Sequence, residues 1–310
     1  MDLLSDILMR LNLKGSLYFR TSFTSPWGVD VPAFENVARF HFAHRGRCLV
    51  RVAGAGAPVA LDQGDLIIIP HGAAHRLFCD PKTERLTLPI DRVVELSGFT
   101  GEGALVYGGS DDGAETELVC GHFAFDAGGR HPLLDRLPAF LHLGNYGETA
   151  GKWMEYTLRM IGTEAGRALP GGDLIALKMS EIVFAQALRA FLDSQGRELP
   201  GLAGFADQNL ARALAAMHGD PARGWSLAEL ARIAGLSRTL FATRFAERVG
   251  ETPMGYLTRW RMLLARQELA AGRASVAEVA ETVGYASEAA FSRVFKRDTG
   301  LTPAAFRRAA

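Results

Sequence analysis

The chain has 310 residues, 48% of them hydrophobic and 22% charged, with 34 Lys+Arg against 34 Asp+Glu. That length supports about two domains with separate cores. No apolar run reaches the roughly 18 residues of a membrane span, and three scattered cysteines (Cys48, Cys79 and Cys120) are no disulfide framework, so a cytoplasmic protein with reduced thiols and no membrane partner is expected.

The balanced charge hides an asymmetry. Residues 1–204 carry 19 Lys+Arg and 24 Asp+Glu, whereas residues 205–310 carry 15 and 10. Only the rear segment is a candidate for meeting a polyanion.

In chain order, MDLLSDILMR reads as an amphipathic helix without the basic n-region or small-residue cleavage site of a signal peptide. Residues 15–127 then read as strands. NVARFHF, CLVRVAG, DLIIIP, ALVYGG and ELVCGHFAFD are short, rich in Val, Ile and Phe, and separated by Gly, Asp and Pro turns. Strands at that spacing predict a sandwich or barrel. From His131 onward, HPLLDRLPAFL, KWMEYTLRMIG and DLIALKMSEIVFAQALRAFLDS switch to helical spacing. The third of these carries two stripes. Leu174, Leu177, Ile182, Ala185 and Leu188 form one, and Ile175, Met179, Val183, Phe184 and Phe191 the other. A helix apolar on two faces needs two partners: the barrel, and a neighbouring helix or the same helix of a second copy. A Gly- and Pro-rich stretch, residues 197–204, reads as a linker.

The last hundred residues contain one pattern twice. SLAELARIAGLSRTLFATRFAERVGETP (226–253) is matched by SVAEVAETVGYASEAAFSRVFKRDTGLTP (275–303). Ser226 with Glu229, and Ser275 with Glu278, are capping boxes. Gly235 and Gly284 fall where a tight helix-to-helix turn needs positive φ. Ser237 and Ser287 are N-caps for the next helix. Phe241 and Phe245 point one way into a core, as do Phe291 and Phe295. Gly250 and Gly300 suit helix C-termini, and Thr252-Pro253 and Thr302-Pro303 start a further helix each. Between the copies, Tyr256, Trp260, Leu263, Leu264 and Leu269 make a continuous apolar stripe on one connecting helix. This is helix–turn–helix grammar written twice, and it points to DNA.

Ala231, Gly235, Ser237, Phe245, Gly250, PMGYLTRWRM, VAEVAETVGY and FSRVFKRDTGLTPAAFRR together make this segment resemble the AraC/XylS family of bacterial transcription regulators. The resemblance implies two recognition helices in successive major-groove segments of double-stranded DNA, roughly 34 Å apart. It also implies an effector-sensing N-terminal domain, a homodimer and RNA polymerase as a partner. The recognition helices are expected over about 238–249 and 288–299. With the phenylalanines inward, the outer face of the first holds Arg238, Thr239, Ala242 and Thr243. That of the second holds Glu288, Ala289, Ser292 and Arg293. Arg238 and Arg293 are candidates for guanine. Ala242 and Ala289, smaller than the polar groups common there in the family, suit thymine methyls. Lys296, Arg297, Arg307 and Arg308 are candidates for phosphate, with solvated surface as the alternative.

GDLIIIPHGAAH (64–75) matches the second motif of the cupin superfamily, G-x5-P-x-G-x2-H, ending on His75. The first cupin motif has two histidines one residue apart, then a glutamate, then a glycine seven residues on. Taking Gly46 as that glycine puts Arg39 at the glutamate position, with no histidine pair upstream. A guanidinium cannot replace a carboxylate on a metal. Alternation places His41 on the face of Arg39, and Cys120 with His122 on one face of a later strand. Two readings stay open. His41, His75 and Cys120 are a donor set for a zinc-like divalent metal. Arg39, His41 and His75, with His41 the companion of His75, otherwise line a polar effector pocket, the preferred reading, unless they are satisfied core. His44, His71, Cys48, Cys79 and His131 read as surface or core.

The expected fold is α+β in two domains. A cupin-like β-barrel with flanking helices spans residues 1–196, and an all-α double helix–turn–helix spans 205–310. The expected function is a non-enzymatic, ligand-responsive, sequence-specific transcription regulator. The alternatives are a cupin-type metal-dependent enzyme fused to a DNA-binding domain, and a constitutive regulator whose barrel only dimerises.

Overall fold

The computed structural model describes residues 3–10, 18–101, 103–109, 113–125, 132–144, 156–157, 160, 170–196, 199 and 201–309. Its elements begin α1 (Leu3–Arg10), β1 (Tyr18–Thr24), β2 (Gly28–Val31), β3 (Val37–Arg45), β4 (Cys48–Val52), β5 (Val59–Leu61), β6 (Leu66–Ile69), β7 (His75–Phe78), β8 (Leu88–Pro89), α2 (Ile90–Ser97), β9 (Ala104–Gly108) and β10 (Glu115–Ala124). There follow α3 (Pro132–Asp135), β11 (Leu141–Leu143), α4 (Gly172–Phe191), α5 (Gln208–Gly219), α6 (Leu227–Ala234), α7 (Arg238–Val249), α8 (Pro253–Ala271), α9 (Val276–Thr282), α10 (Glu288–Thr299) and α11 (Pro303–Ala309). They form two compact units: a sheet unit (residues 13–125 and 137–191) and a helical unit (residues 1–12, 126–136 and 192–310).

The sheet unit has two sheets around one core, ordered β11-β6-β3-β10-β1-β9 and β5-β4-β7-β2-β8. The expected barrel is therefore a sandwich whose sheets keep their edge strands. Its core is built from alternate residues, Val50 and Val52 of one sheet against Ile67, Ile69, Leu118 and Cys120 of the other. The GDLIIIPHGAAH corner forms as its sequence dictates. Leu66 to Ile69 are fully buried, and Gly72 turns at φ +62°, where a Cβ would lie 2.1 Å from the Phe34 carbonyl oxygen. The corner returns the chain into β7, which begins on His75.

Helix α2 lies inside the region read as strands. Its IDRVVELS sequence buries Val93 and stops at Gly98 in the left-handed conformation. HPLLDRLPAFL is not one helix: helicity is confined to Pro132–Asp135, and strand β11 follows. Pro138 cannot donate to a continuing helix. Most of KWMEYTLRMIG, and His131, lie outside the described residues. Helix α4 buries Val183, Phe184, Ala187, Leu188 and Phe191, with Phe184 against Phe123 of β10 at 4.9 Å between ring centroids. Leu174, Ile175 and Ile182 are exposed. The sequence stripes thus divide differently: Leu188 joins the buried face, and Ile175 the exposed one.

In the helical unit, both capping boxes form, Ser226 with Glu229 and Ser275 with Glu278. The Ser226 hydroxyl and backbone amide, with Arg223, hold the Glu229 carboxyl down at about 2. Ser237, Thr252 and Ser287 cap α7, α8 and α10. Gly284 has φ +83°, and a Cβ there would meet the Ala222 carbonyl oxygen at 2.4 Å, so the turn into the second recognition helix requires glycine. Two cores result. The first gathers Phe241, Phe245 and Leu230 with Tyr256 and Leu257 of α8. The second gathers Phe291, Phe295 and Val279 with Trp260, Leu263 and Leu269 of the same helix. One helix is therefore part of both cores.

Two expected boundaries differ. The helix α1, at the front of the sequence, belongs to the helical unit. Its Asp6 carboxylate accepts from Nδ1 of buried His218 at 2.8 Å, and Nε2 of His218 lies 2.7 Å from the Tyr256 hydroxyl. The stretch read as a linker is partly core: Leu202 is fully buried, and the Gly204 amide donates to the Arg248 carbonyl at 3.0 Å.

Candidate effector cavity and DNA-reading surface

The sheet unit contains a partly open cavity of about 350 Å³. Its wall is largely apolar, with Phe19, Phe23, Val29 and Leu118 among the lining residues, and its polar groups converge from β3 and β10. Arg39 and His41 come from β3, Cys120 and His122 from β10. The register makes two cross-strand pairs of these four, Cys120 opposite His41 and His122 opposite Arg39. Alternation thus delivers the face that the sequence predicts.

His75 does not line the cavity. It starts β7 of the other sheet, opposite Val31 and Val52, and meets His41 across the core, Nε2 to Nε2 at 2.8 Å. His41 in turn faces the Cys120 sulfur through Nδ1 at 3.1 Å. Nδ1 of His75 lies 2.9 Å from the Ala73 carbonyl oxygen, which only accepts, so His75 carries its hydrogen there. Its Nε2 must then accept from Nε2–H of His41, which leaves Nδ1 of His41 to accept from the Cys120 thiol. Every group in this chain is satisfied in its neutral form, and the chain joins the two sheets.

The electrostatics agree with that assignment. Burial holds the His41 pKa well below its ordinary value, with His75 and Arg39 lowering it further. Burial brings His75 to about 4, against the raising effect of the Ala73 carbonyl. Burial also pushes the Cys120 thiol up, so it stays protonated. His122 is lowered, first by burial and then by the charge of Arg39. Arg39 is left as the one charged group among the cavity residues named here.

The metal reading of His41, His75 and Cys120 does not fit this geometry. Cys120 and His75 lie on opposite edges of the same imidazole, at Nδ1 and at Nε2. One ion cannot be bound by all three. Among the described residues, no group of three or more His, Cys, Asp or Glu is placed to hold a metal. Sequence alternation says which face a side chain takes, but not which ring nitrogen meets which neighbour. Two lining residues outside the predicted set stand beside Arg39: His122, opposite it in the register, and Phe34, whose ring centre lies 4.4 Å from the guanidinium carbon.

On the helical unit, Arg238, Thr239 and Thr243 are exposed on α7, with Ala242 half-buried. Glu288, Ala289 and Arg293 are exposed at the corresponding positions of α10, with Ser292 half-buried. Lys296 and Arg297 are exposed. Arg297 borders a cleft with Glu251, Arg259 and Asp298, so it shares its surroundings with two carboxylates. Arg307 donates to the Ala274 carbonyl at 2.6 Å and is committed to structure; Arg308 is exposed. Sequence reasoning passed over Leu240, which is 50% exposed in the first turn of α7. Its neighbour Phe241 is fully buried, and the 100° step between them in a helix is the signal that marks Leu240 as outward.

The Cupin family profile matches residues 2–193, and the helix-turn-helix domain profile matches residues 230–309. A putative AraC-like transcription regulator of Streptomyces lividans is 34% identical across 99% of this chain and 98% of its own length. The HTH-type transcriptional regulator AlkR of Acinetobacter baylyi is 30% identical across 99% of both chains. A solved DNA-binding transcriptional dual regulator of Escherichia coli K-12 aligns with 32% of this chain and 88% of its own, at 27% identity and a TM-score of 0.30. Two matched helix–turn–helix units behind a cupin-like domain, and full-length relatives of that kind, place the chain in the family of AraC-like transcription regulators.

Proposed function

We propose that this regulator is ligand-responsive, with the cavity of the sheet unit as its effector site. The observation that carries the reading is the cavity itself, about 350 Å³. It has an apolar wall and a few convergent polar groups, the usual form of a small-molecule site. The chain acts on DNA in the cytoplasm and controls RNA polymerase there, with no reaction of its own. A second copy covers the exposed Leu174, Ile175 and Ile182 of α4.

The test uses the full chain and the neutral fluorophore N-phenyl-1-naphthylamine. The fluorophore is expected to brighten on entering the cavity. Ile90→Trp, which fills the cavity from the half-exposed first turn of α2, is expected to abolish that signal while keeping the native circular dichroism. Equal fluorescence from both proteins rejects the effector reading.

We also propose that Arg293 reads a base and Lys296 a phosphate. The operator is first recovered by selecting bound genomic fragments. On that operator and a scrambled duplex, Arg293→Ala is expected to lose about 1–3 kcal/mol on the operator alone. Lys296→Ala is expected to weaken both duplexes evenly and to reduce the salt slope by about 1. Equal losses on both duplexes for Arg293→Ala reject its base-reading role.

A further inference from the structure

We infer that the cavity takes a small amphipathic anion, an apolar body bearing one carboxylate-type group, with Arg39 as the anion's receptor and His122 beside it. The inference deepens the proposed function and rests on the cavity being the effector site.

Arg39 is the anomaly that carries it. The side chain lines the cavity, and its Nε is buried without a hydrogen-bond partner. Among the described residues it makes no ion pair, and the Phe34 ring centre lies 4.4 Å from its guanidinium carbon. A guanidinium carries five donors in a planar fork and cannot shed its charge. The side chain is half-buried, and holding its Nε away from water without a partner is unfavourable. The other polar residues on this wall do not compensate it. His41 and Cys120 are spent on the neutral chain to His75, and a protonated thiol supplies no negative charge. The fold therefore places one uncompensated cation at the end of an apolar chamber.

A ligand completes this arrangement only if it brings the missing charge. A carboxylate matches the guanidinium fork with two parallel hydrogen bonds. His122, opposite Arg39 in the strand register and on the same wall, offers a further donor. The rest of the wall, with Phe19, Val29 and Leu118, requires the body of the ligand to be apolar. A wholly neutral ligand leaves Arg39 unpaired, and a cationic one is repelled by it.

The test compares three ligands of equal chain length, octanoate, octan-1-ol and octylammonium, each displacing N-phenyl-1-naphthylamine from the full chain at pH 7.5. Octanoate is expected to bind about tenfold more tightly than octan-1-ol, as a charge-assisted bidentate pair allows, and octylammonium weakest. Arg39→Met is expected to remove the octanoate advantage while leaving octan-1-ol unchanged, which also shows the cavity intact. Arg39→Lys is expected to keep a reduced preference for octanoate. The wild-type comparison of head groups stands even where Arg39→Met fails to fold. Octan-1-ol or octylammonium binding as tightly as octanoate overturns the inference. So does octanoate binding that Arg39→Met leaves unchanged, or bound fluorophore that none of the three displaces. Failure of the fluorophore itself to bind rejects the effector reading instead, and is thereby told apart.

Discussion

Trp260→Ala is expected to unfold both DNA-reading units together, at a cost of about 3–5 kcal/mol, the range for deleting a large buried aromatic. Trp260 is fully buried and belongs to the second core. Its ring also stacks on His218 of α5, with centroids 3.9 Å apart and planes 10° from parallel. His218 is itself bonded to Tyr256, which belongs to the first core. Removing the indole therefore opens a cavity at the junction of the two cores. Urea denaturation followed by circular dichroism is expected to show one transition moved to lower urea. Trp260→Phe, which keeps an aromatic face for His218, is expected to recover more than half of the loss. A loss below about 1 kcal/mol for the alanine variant contradicts this account, because so small a cost is typical of a surface site.

The second large effect concerns pH. His75 titrates at about 4 in the folded protein, because burial disfavours its charged form, whereas an unfolded histidine titrates near 6.5. Between those values the unfolded chain holds the extra proton. The stabilisation is present in full above pH 6.5 and is lost as pH falls towards 4. The whole change is about 3 kcal/mol, and about 2 kcal/mol of it is expected by pH 5. His41 lies in the same chain and is lowered in the same direction, so it adds to the slope. Chemical denaturation at pH 7.5, 6.5, 5.5 and 5.0 measures this. His75→Gln is expected to be less stable at pH 7.5 and to show a flatter dependence below 6.5. Parallel slopes for wild type and variant assign the pH dependence to other groups.

The two helix–turn–helix copies were almost wholly legible in the sequence because their grammar is local. A capping box spans three residues, and the distance from Gly235 to Ser237 fixes a turn whatever else the chain does. The same holds for the Gly64–His75 corner, where a proline, a glycine with positive φ and an apolar run specify the bend in situ. Legibility fails where partners are far apart. That His75 lies in one sheet and His41 in the other follows from pairings among β2, β4 and β7, which no periodicity reports. Alternation correctly joined Arg39 with His41, and Cys120 with His122, yet it could not assign ring nitrogens, and a geometry unsuited to a shared metal followed from that detail. Helix α2 was hidden because IDRVVELS has only one fully buried residue, Val93, in a stretch whose neighbours are strands.

The partnership of Asp6 with His218 changes what counts as a piece of this protein. The helical unit draws on three separate stretches of chain, residues 1–12, 126–136 and 192–310. A fragment beginning at residue 205 contains every helix–turn–helix residue and still lacks α1, and with it the carboxylate that accepts from His218. It also lacks Leu202, fully buried in the intact chain. Cutting at the apparent linker therefore removes parts of the helical unit itself. It strips a buried acceptor from a histidine stacked on Trp260, beside the helix shared by both cores. Fragments meant to report on DNA binding alone are better made by inactivating the cavity in the whole chain.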